Sequence, residues 1–441
     1  MLQSDAASAL LATINESANT SRNEFVYSET SNVVPYQSVQ WDNISPASLP
    51  NVITGGNTVH FDVSKMGILT KAVLGLTFTV KSSVATGTAR GHLCPNAFLN
   101  CINEVVLTSG GRTISRLTQA GIMARMSEKT EDVKLGYVDA TQMDSSAKAF
   151  IPSGIAADTD VEHPFLLNLD FFFQENKYAL QTNFLQPIRL SVSFNTISNV
   201  ALATTTTVGI MTSGGVGLQG SKEPTLYVQY RNLADPVDQA TIQANYADGL
   251  LTQVVENMSY ENPLTLVPAP GAVNTAVDYI FPLKDTSCIE CIYLMVMVNP
   301  EDNTNTSVTQ TGTCCPAELQ GNIIFRSNGT NFIDIPAKLL KTYGIQSQQG
   351  RNAFGSSKYS TQADGNLQNI YCIDFTSGMV DSTIISNLLS LRELSNPEIR
   401  FRYSPTTDNA SKSTTAYVSY CRRELASTIS NTGRYSISLS N

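Results

Sequence analysis

Thr58–Val80 reads TVHFDVSKMGILTKAVLGLTFTV, and Ala276–Val298 reads AVDYIFPLKDTSCIECIYLMVMV. Laid over one another without a gap, the two stretches register at an offset of 277 − 59 = 218. Identity is slight, but Leu74, Leu76, Phe78 and Val80 fall on Ile292, Leu294, Val296 and Val298. Each set is one apolar face of a period-2 strand. A strand pair written twice predicts a duplicated β domain, and other blocks follow in the same order. The hairpin Val105–Leu117 meets Ile323–Ile335 at the same offset, with Ser109 on Ser327 and Gly111 on Gly329. Both turns place glycine where a tight hairpin requires positive φ. Leu169-Asp170-Phe171 matches Ile373-Asp374-Phe375, and Gln186-Pro187-Ile188-Arg189-Leu190 resembles Asn396-Pro397-Glu398-Ile399-Arg400-Phe401. Ser221-Lys222 and Leu226–Tyr230 meet Ser411-Lys412 and Ala416–Tyr420 at 411 − 221 = 190. Nearly all length change falls in loops.

The first copy reads as strands at Thr58–Val63, Ala72–Val80, Ile102–Leu107, Thr113–Leu117, Phe165–Phe173, Ile188–Phe194 and Thr225–Arg231. Short helices are expected at Gln119–Lys134 and Pro336–Tyr343, and Ala203–Gly220 reads as a Thr/Gly-rich loop. Many short strands with turns between them and almost no long helix predict an all-β sandwich or barrel, not a βαβ fold. About eight strands per copy with a few large loops suit a jelly roll. Periodicity alone does not separate it from an immunoglobulin-like sandwich, although neither half carries the Cys…Trp…Cys spacing of that fold. The expected organisation is all-β, two tandem eight-stranded jelly rolls with short helices in loops. An N-terminal arm spans residues 1–50, jelly roll 1 spans 51–231, a linker spans 232–256, and jelly roll 2 with a C-terminal tail spans 257–441. Within the arm, residues 3–15 have the pattern of a short helix capped by Asp5. Ser17–Leu49 reads as an extended segment lying across a surface, docked by Trp41.

A chain of 441 residues is comfortable for two domains, and 42% hydrophobic content fills two cores. Charged residues make up only 15%. Their place is taken by Ser, Thr and Asn, which suit strands joined by polar loops. The net charge of −9 gives no electrostatic reason to coat a polyphosphate, so no specific nucleic-acid binding is expected. The first thirty residues contain Asp5, Glu16, Arg22, Glu24 and Glu29, which is no basic arm. Met1-Leu2-Gln3-Ser4-Asp5 does not open like a secretory leader, so synthesis in a cell interior is expected. The longest strongly apolar run, Cys291–Val298, is far below the ~20 residues of a membrane-spanning helix. Cys94, Cys101, Cys288, Cys291, Cys314, Cys315, Cys372 and Cys421 define no disulfide framework, and a reducing site of synthesis fits them.

Cys288, Cys291, Cys314 and Cys315 suggest zinc. However, an i, i+3 pair on a regular strand points to opposite faces, and the first copy has Thr70 and Val73 there. Buried apolar thiols are the better account. His60, His92 and His163 stand in three different segments and make no metal cluster. Asp170 and Asp374, matched between copies, are the candidates for acid–base work in a carbohydrate-active tandem jelly roll, but lie mid-strand among apolar residues. Ser213-Gly214-Gly215-Val216-Gly217 lacks the Lys-Ser/Thr of a phosphate loop. The sequons at Asn257 and Asn328 carry little meaning without a secretory route. No residue is assigned a catalytic, cofactor-binding or metal role.

The order of signals resembles a family. A strand ending in Asp62-Val63-Ser64-Lys65-Met66-Gly67-Ile68-Leu69 comes first, then the Ser-Gly-Gly-Arg hairpin within Val106–Arg116. Leu185–Phe194 and a closing Tyr-Val-x-Tyr strand at Tyr227–Tyr230 follow. This is similar to the double jelly-roll major capsid proteins of icosahedral DNA viruses, over about residues 40–435. Gln186-Pro187-Ile188 departs from the pattern of the large eukaryotic viruses, where a longer apolar Leu-Pro segment is usual, so the host group stays open. The resemblance implies a structural protein of the virion capsid that self-assembles as homotrimers with six similar barrels, then packs with neighbouring capsomers. It implies penton and minor capsid proteins as further partners, outward loops at Met123–Glu162 and Asn195–Glu223, and an N-terminal arm on the inner side facing neighbours or an internal membrane. A carbohydrate-active protein and a minor vertex or receptor-binding protein are the alternatives.

Overall fold

Period-2 alternation makes most of the chain β-strand, and a computed structural model shows how the strands wind. The structure describes residues 37–82, 101–127, 160–169, 171, 180–195, 206–210, 212, 223–233, 250–266, 275–298, 316–340, 369–375, 388–405, 414–429 and 434–439. In the first half the strands are β1 (Gln37–Ile44), β2 (Thr58–Val63), β3 (Ile68–Ser82), β4 (Ile102–Ser109) and β5 (Arg112–Thr118). Helix α1 (Gln119–Ser127) precedes β6 (Asp160–Asn168), β7 (Leu180–Gln181), β8 (Ile188–Phe194), β9 (Thr206–Ile210) and β10 (Thr225–Leu233). Their antiparallel pairings are nested: β1 with β10, β2 with β8, β3 with β6, β4 with β5. A long hairpin wound on itself in this way is a jelly roll. Its two sheets run β1-β10-β3-β6 and β2-β8-β4-β5, with β7 and β9 added against β3.

The second half repeats the winding. It contains β11 (Leu250–Tyr260), β12 (Leu264–Leu266), β13 (Val277–Pro282), β14 (Cys288–Val298), β15 (Gln320–Ser327) and β16 (Thr330–Pro336). After them come β17 (Tyr371–Asp374), β18 (Leu389–Ser390), β19 (Glu398–Tyr403), β20 (Thr414–Ile429) and β21 (Arg434–Leu439). The large sheet runs β11-β20-β14-β17 and the small sheet β13-β19-β15-β16. Eight strands per roll therefore form the two sandwiches, and the remaining short strands extend the large sheets.

Each roll encloses its own inner layer. Leu74, Leu76 and Phe78 on β3 are buried with Val59, Phe61, Leu107, Leu190 and Val192 from the facing small sheet. Ile292, Leu294 and Val296 on β14 are buried with Phe281, Phe325, Ile399 and Phe401. Burying each such side chain contributes roughly 1.5–3 kcal/mol. Buried tyrosines find acceptors: the Tyr230 hydroxyl donates to the Ser64 carbonyl at 2.7 Å, and the Tyr420 hydroxyl to Glu261 at 2.9 Å. Burial pushes the pKa of both phenols up, and the Glu261 carboxylate adds to the effect at Tyr420. The two hairpin turns take matching left-handed geometry, at Gly110 (φ 54°) and Gly111 (φ 79°), then at Asn328 (φ 46°) and Gly329 (φ 80°). Two consecutive positive φ values are the signature of a type I′ turn, which glycine and asparagine adopt at least cost.

The structure corrects several expectations. The hairpins do superpose at 218: Leu107 pairs Ser115 and Phe325 pairs Ile333. The preceding strands superpose at 220, not 218. A bulge sets Thr70 out of register in β3 and Glu290 in β14, and 290 − 70 = 220. The carbonyls of Gly67 and Ser287 accept matching bonds from the amides of Thr182 and Leu391. A slip of two residues keeps every side chain on its own face, so alternation alone is blind to it. Residues 37–44, read as part of the arm, form edge strand β1 of the first roll, paired along its whole length with β10. Residues 250–256, read as linker, belong to β11. β9 lies within the expected loop Ala203–Gly220 and pairs with β3, because Thr and Val at 206–208 suit an edge strand. β6 ends at Asn168, where the chain turns and the Leu169 amide donates to the Ala72 carbonyl. The helix expected at Gln119–Lys134 is described to Ser127, and residues 337–340 are helical within the expected patch Pro336–Tyr343. The expected helix at residues 3–15 and most of both outward loops lie outside the described residues.

Candidate assembly surfaces

The large-sheet strand of each roll has two faces, and only the inner one is a sandwich core. On β14 the outer face carries Cys291, Tyr293, Met295 and Met297, all buried. Their partners on β20 and β11 include Cys421, Tyr417 and Met258. β5 and α1 of the first roll pack on β11 and β20 of the second. Met258, Cys291, Tyr293, Met295, Met297 and Cys421 thereby join the apolar cluster of the first roll, not their own. The two rolls meet in a closely packed seam with an apolar cluster drawn from both. This explains the uninterrupted apolar run at Cys291–Val298: a strand covered on both faces has no reason to alternate.

Specific polar contacts fix the seam. The Ser115 hydroxyl donates to the Asn257 side-chain carbonyl at 2.8 Å, and the Asn257 amide donates to the Ile114 carbonyl at 3.2 Å. Arg125 from α1 pairs with the carboxylate of Glu256 and donates to its main-chain carbonyl at 3.2 Å. Both charged side chains are mostly buried, at 11% and 13% exposure. The Arg116 guanidinium lies 5.2 Å from the centre of the Tyr260 ring, a cation–π contact across the same junction. Asn257, the asparagine of the first sequon, is buried here and spends its amide on these bonds.

Among the described candidates for chemistry, Cys291 lies in this seam. Glu256, Glu290 and Cys421 bring three donor atoms within 4.8 Å of one another, the one such group among the described residues. Glu256 is taken up by Arg125, and the Cys421 thiol donates to Glu290 at 3.7 Å. Its hydrogen bond with Cys291 and burial push the Cys421 thiol well up, so it stays protonated. The group is the polar centre of a packed interface, closed to solvent. Cys291 stands directly opposite Cys421 on β20 and Asp374 on β17. The bulge at Glu290 breaks the alternation between Cys288 and Cys291, so the opposite-face argument does not hold there; Cys288 is half-buried and Cys291 fully buried. His60 Nδ1 lies 2.8 Å from the Ser191 hydroxyl on the neighbouring strand, a structural bond. Asp374 is half-buried at the rim of the large sheet. Cys94, Cys314, Cys315, His92, Asp170 and the loop 213–217 lie outside the described residues, as does the side chain of His163.

The surfaces equivalent to the two sides of the seam are open. β5 and β16 superpose at 218, so Phe332 stands where Ile114 stands; Ile114 is 1% exposed and Phe332 57%. On the large sheets, Trp41 pairs Gln229 and Met258 pairs Cys421, each beside the bulge of its roll. Trp41 is therefore the counterpart of Met258; it is 49% exposed against 3%. Leu166 on β6 and Val39 on β1 share the open face with Trp41, as their pairings with Gly75 and Arg231 require. Sequence alternation had marked the inner faces; these outer faces carried no signal except the difference between the two copies.

No protein-family model matches the chain, and no curated protein matches it. Solved structures do. A quasi-atomic model of the PBCV-1 virus capsid superposes with a TM-score of 0.63 at 12% identity, covering 94% of this chain and 100% of that one. The fold is the double jelly roll. The Sputnik virophage structure from cryo-EM gives a TM-score of 0.57 at 13% identity, covering 95% of this chain and 92% of that one. The mavirus major capsid protein gives 0.56 at 12%, covering 95% and 93%. The double jelly roll thus extends over nearly the whole chain, with loops and surfaces free to differ. Among the described residues no helix is long and apolar enough to cross a membrane.

Proposed function

We propose that this chain is a major capsid protein, a structural subunit that self-assembles as homotrimers of pseudo-hexameric outline into an icosahedral viral shell. The observation that carries the reading is the seam between the rolls. It is a head-to-tail contact between two copies of one module, edge onto sheet, and a contact of that kind continues until a ring closes. Two modules per chain and three chains make a six-module ring, which tiles a hexagonal lattice from one gene product. Full-length likeness to viral capsid proteins supports the same role. The interior of each roll is filled by side chains, and the polar cluster at Glu256 is sealed by the seam, which fits a building block and not a catalyst.

In this reading the protein resides in the virion capsid, with residues 1–36 on the inner side and the long loops of the first roll outward. Penton and minor capsid proteins are its further partners, and an internal membrane is a contact for the arm. Size-exclusion chromatography with light scattering tests the core of it. A stable species near three times 47.7 kDa is expected. A well-behaved monomer at micromolar concentration contradicts the proposal. Removal of residues 1–36, which stops short of β1, should leave that trimer folded but impair shell assembly; intact shells from the truncated chain would overturn the arm's role.

A further inference from the structure

Three of the described thiols lie on the outer face of the second roll's large sheet, the face that the first roll covers. Cys291 on β14 stands directly opposite Cys421 on β20, and both are fully buried in the cluster that spans the seam. Cys372 on β17 stands opposite Tyr293, two places along β14, and is half-buried against the same cluster. The Cys421 thiol is hydrogen-bonded with Cys291, and it reaches the Glu290 carboxylate at 3.7 Å. The fold itself does not call for thiols there. By the register of the equivalent strands, the first roll carries Lys71 and Gln229 as this cross-strand pair. Both members of the pair are cysteine in one roll, and neither is in the other.

We propose that Cys291 and Cys421 are a redox site: an oxidant of the disulfide class, such as oxidised glutathione, joins them in a cross-strand disulfide that staples β14 to β20 beneath the seam. The inference concerns the single chain and stands apart from the self-assembly reading. Directly opposite residues on antiparallel strands have Cβ atoms about 4.5–5.5 Å apart, and diagonal neighbours about 7–8 Å. A disulfide needs about 3.5–4.5 Å. The opposite pair therefore closes with a shift of about 1 Å, whereas Cys291 and Cys372, on a diagonal, would need more than about 3 Å. One cysteine thiolate attacks the oxidant and releases the first glutathione; the other attacks the mixed disulfide and releases the second. The Sγ–Sγ bond forms as the glutathione S–S bond breaks, and the two protons and two electrons leave in two glutathione thiols. Burial decides when this happens. With β5 and α1 packed on the sheet, both sulfurs are shut off from oxidant and reductant alike. The pair therefore keeps the redox state in which the seam last closed. The disulfide ties residues 291–421 into one loop that contains β15–β19, most of the second roll. A cross-link over so long a loop stabilises by restricting the unfolded chain.

The full-length chain, held in oxidised glutathione at urea concentrations stepped from zero to its unfolding midpoint, gives the test. Samples are acid-quenched, alkylated and mapped by mass spectrometry. The peptide linking Cys291 to Cys421 is expected as the dominant cross-link, slow to appear without urea and faster at each step that opens Cys421 to alkylation. The linked chain should unfold at a higher urea midpoint than the reduced chain, and should resist dithiothreitol in native buffer. Cys291→Ser and Cys421→Ser should each abolish the linked peptide and the midpoint shift; the wild-type map decides the pairing without either variant. If Cys421 alkylates while no Cys291–Cys421 peptide forms, or if Cys291–Cys372 or scattered pairs dominate, the proposal is overturned. A linked peptide that dithiothreitol reduces at once in native buffer overturns the claim that the seam preserves it.

Discussion

β3 and β14 are the same strand of the same module, yet the outer face of β3 is exposed at Lys71 and half-buried at Val73, whereas β14 is buried on both faces. Their inner faces are interchangeable in kind: Leu74 and Leu76 against Leu294 and Val296. Their outer faces are not. Lys71, Val73, Gly75 and Thr77 occupy the positions of Cys291, Tyr293, Met295 and Met297. Duplication fixed the core of both copies, whereas the outer faces diverged according to when each is covered. The face of β14 is sealed as the chain folds and needs no solubility. The face of β3 keeps Lys71 in solvent.

The comparison can be broken at its most buried point first. Arg125→Ala leaves Glu256 in the seam without its cation, and removing one partner of a mostly buried ion pair costs about 3–5 kcal/mol. A chemical denaturation curve should show this as a large fall in midpoint, and Arg125→Met with Glu256→Leu should recover most of it. A full-sized loss in the double variant would show that the pair does more than neutralise itself. Next in size is a matched pair of truncations at equivalent positions. Met258→Ala should cost about 2–5 kcal/mol, as buried Met→Ala changes do. Trp41→Ala should change monomer stability by less than about 0.5 kcal/mol while weakening assembly. Equal losses at the two positions would erase the distinction between the seams.

How far the sequence carries this picture depends on which face of a strand is asked about. Inner faces are legible because water penalises any break in their alternation: Ile188, Leu190, Val192 and Phe194 announce both their strand and its burial. The hairpins are legible through Gly110-Gly111 and Asn328-Gly329, whose left-handed φ values few other residues accept. The two-residue slip between the copies is not, since an even shift preserves both faces, and only the bulges at Thr70 and Glu290 reveal it. Strand β1 was hidden for a related reason. Its exposed residues include the apolar Val39 and Trp41, while the alternate positions Gln40 and Asp42 are polar, a pattern that reads as irregular for a sandwich strand. The Cys291–Val298 run was visible but ambiguous, because an apolar stretch does not say whether the second face meets its own domain or the next one.

Thiol chemistry separates the buried face from its rim with a smaller effect. Cys101 and Cys421 are fully buried, and their pKa values are pushed up, chiefly by burial at Cys101 and by the Cys291 hydrogen bond together with burial at Cys421. A raised thiol pKa leaves the neutral, unreactive form in place at pH 8, so both should resist alkylation in the folded chain. Cys288 and Cys372 are half-buried and should react before Cys101 and Cys421, as peptide mapping after timed labelling would show. Rapid labelling of Cys421 would mean that the seam opens. The smallest effect is expected on the surface of the first roll, where Arg189 meets Asp62 at 2.7 Å with both side chains more than half exposed. Arg189→Ala should leave the denaturation midpoint where it was, in contrast to Arg125→Ala, because water already screens that pair.

Electron microscopy of the purified protein tests the central claim, that one seam is used twice, most directly. Class averages should show a three-fold particle of six similar lobes in which contacts within and between chains alternate with the same edge-on-sheet geometry, and Phe332→Asp should reduce it to two-lobed particles. A wild-type population of separate two-lobed particles, or a three-fold particle whose interchain contacts leave Trp41 and Phe332 facing solvent, would contradict it.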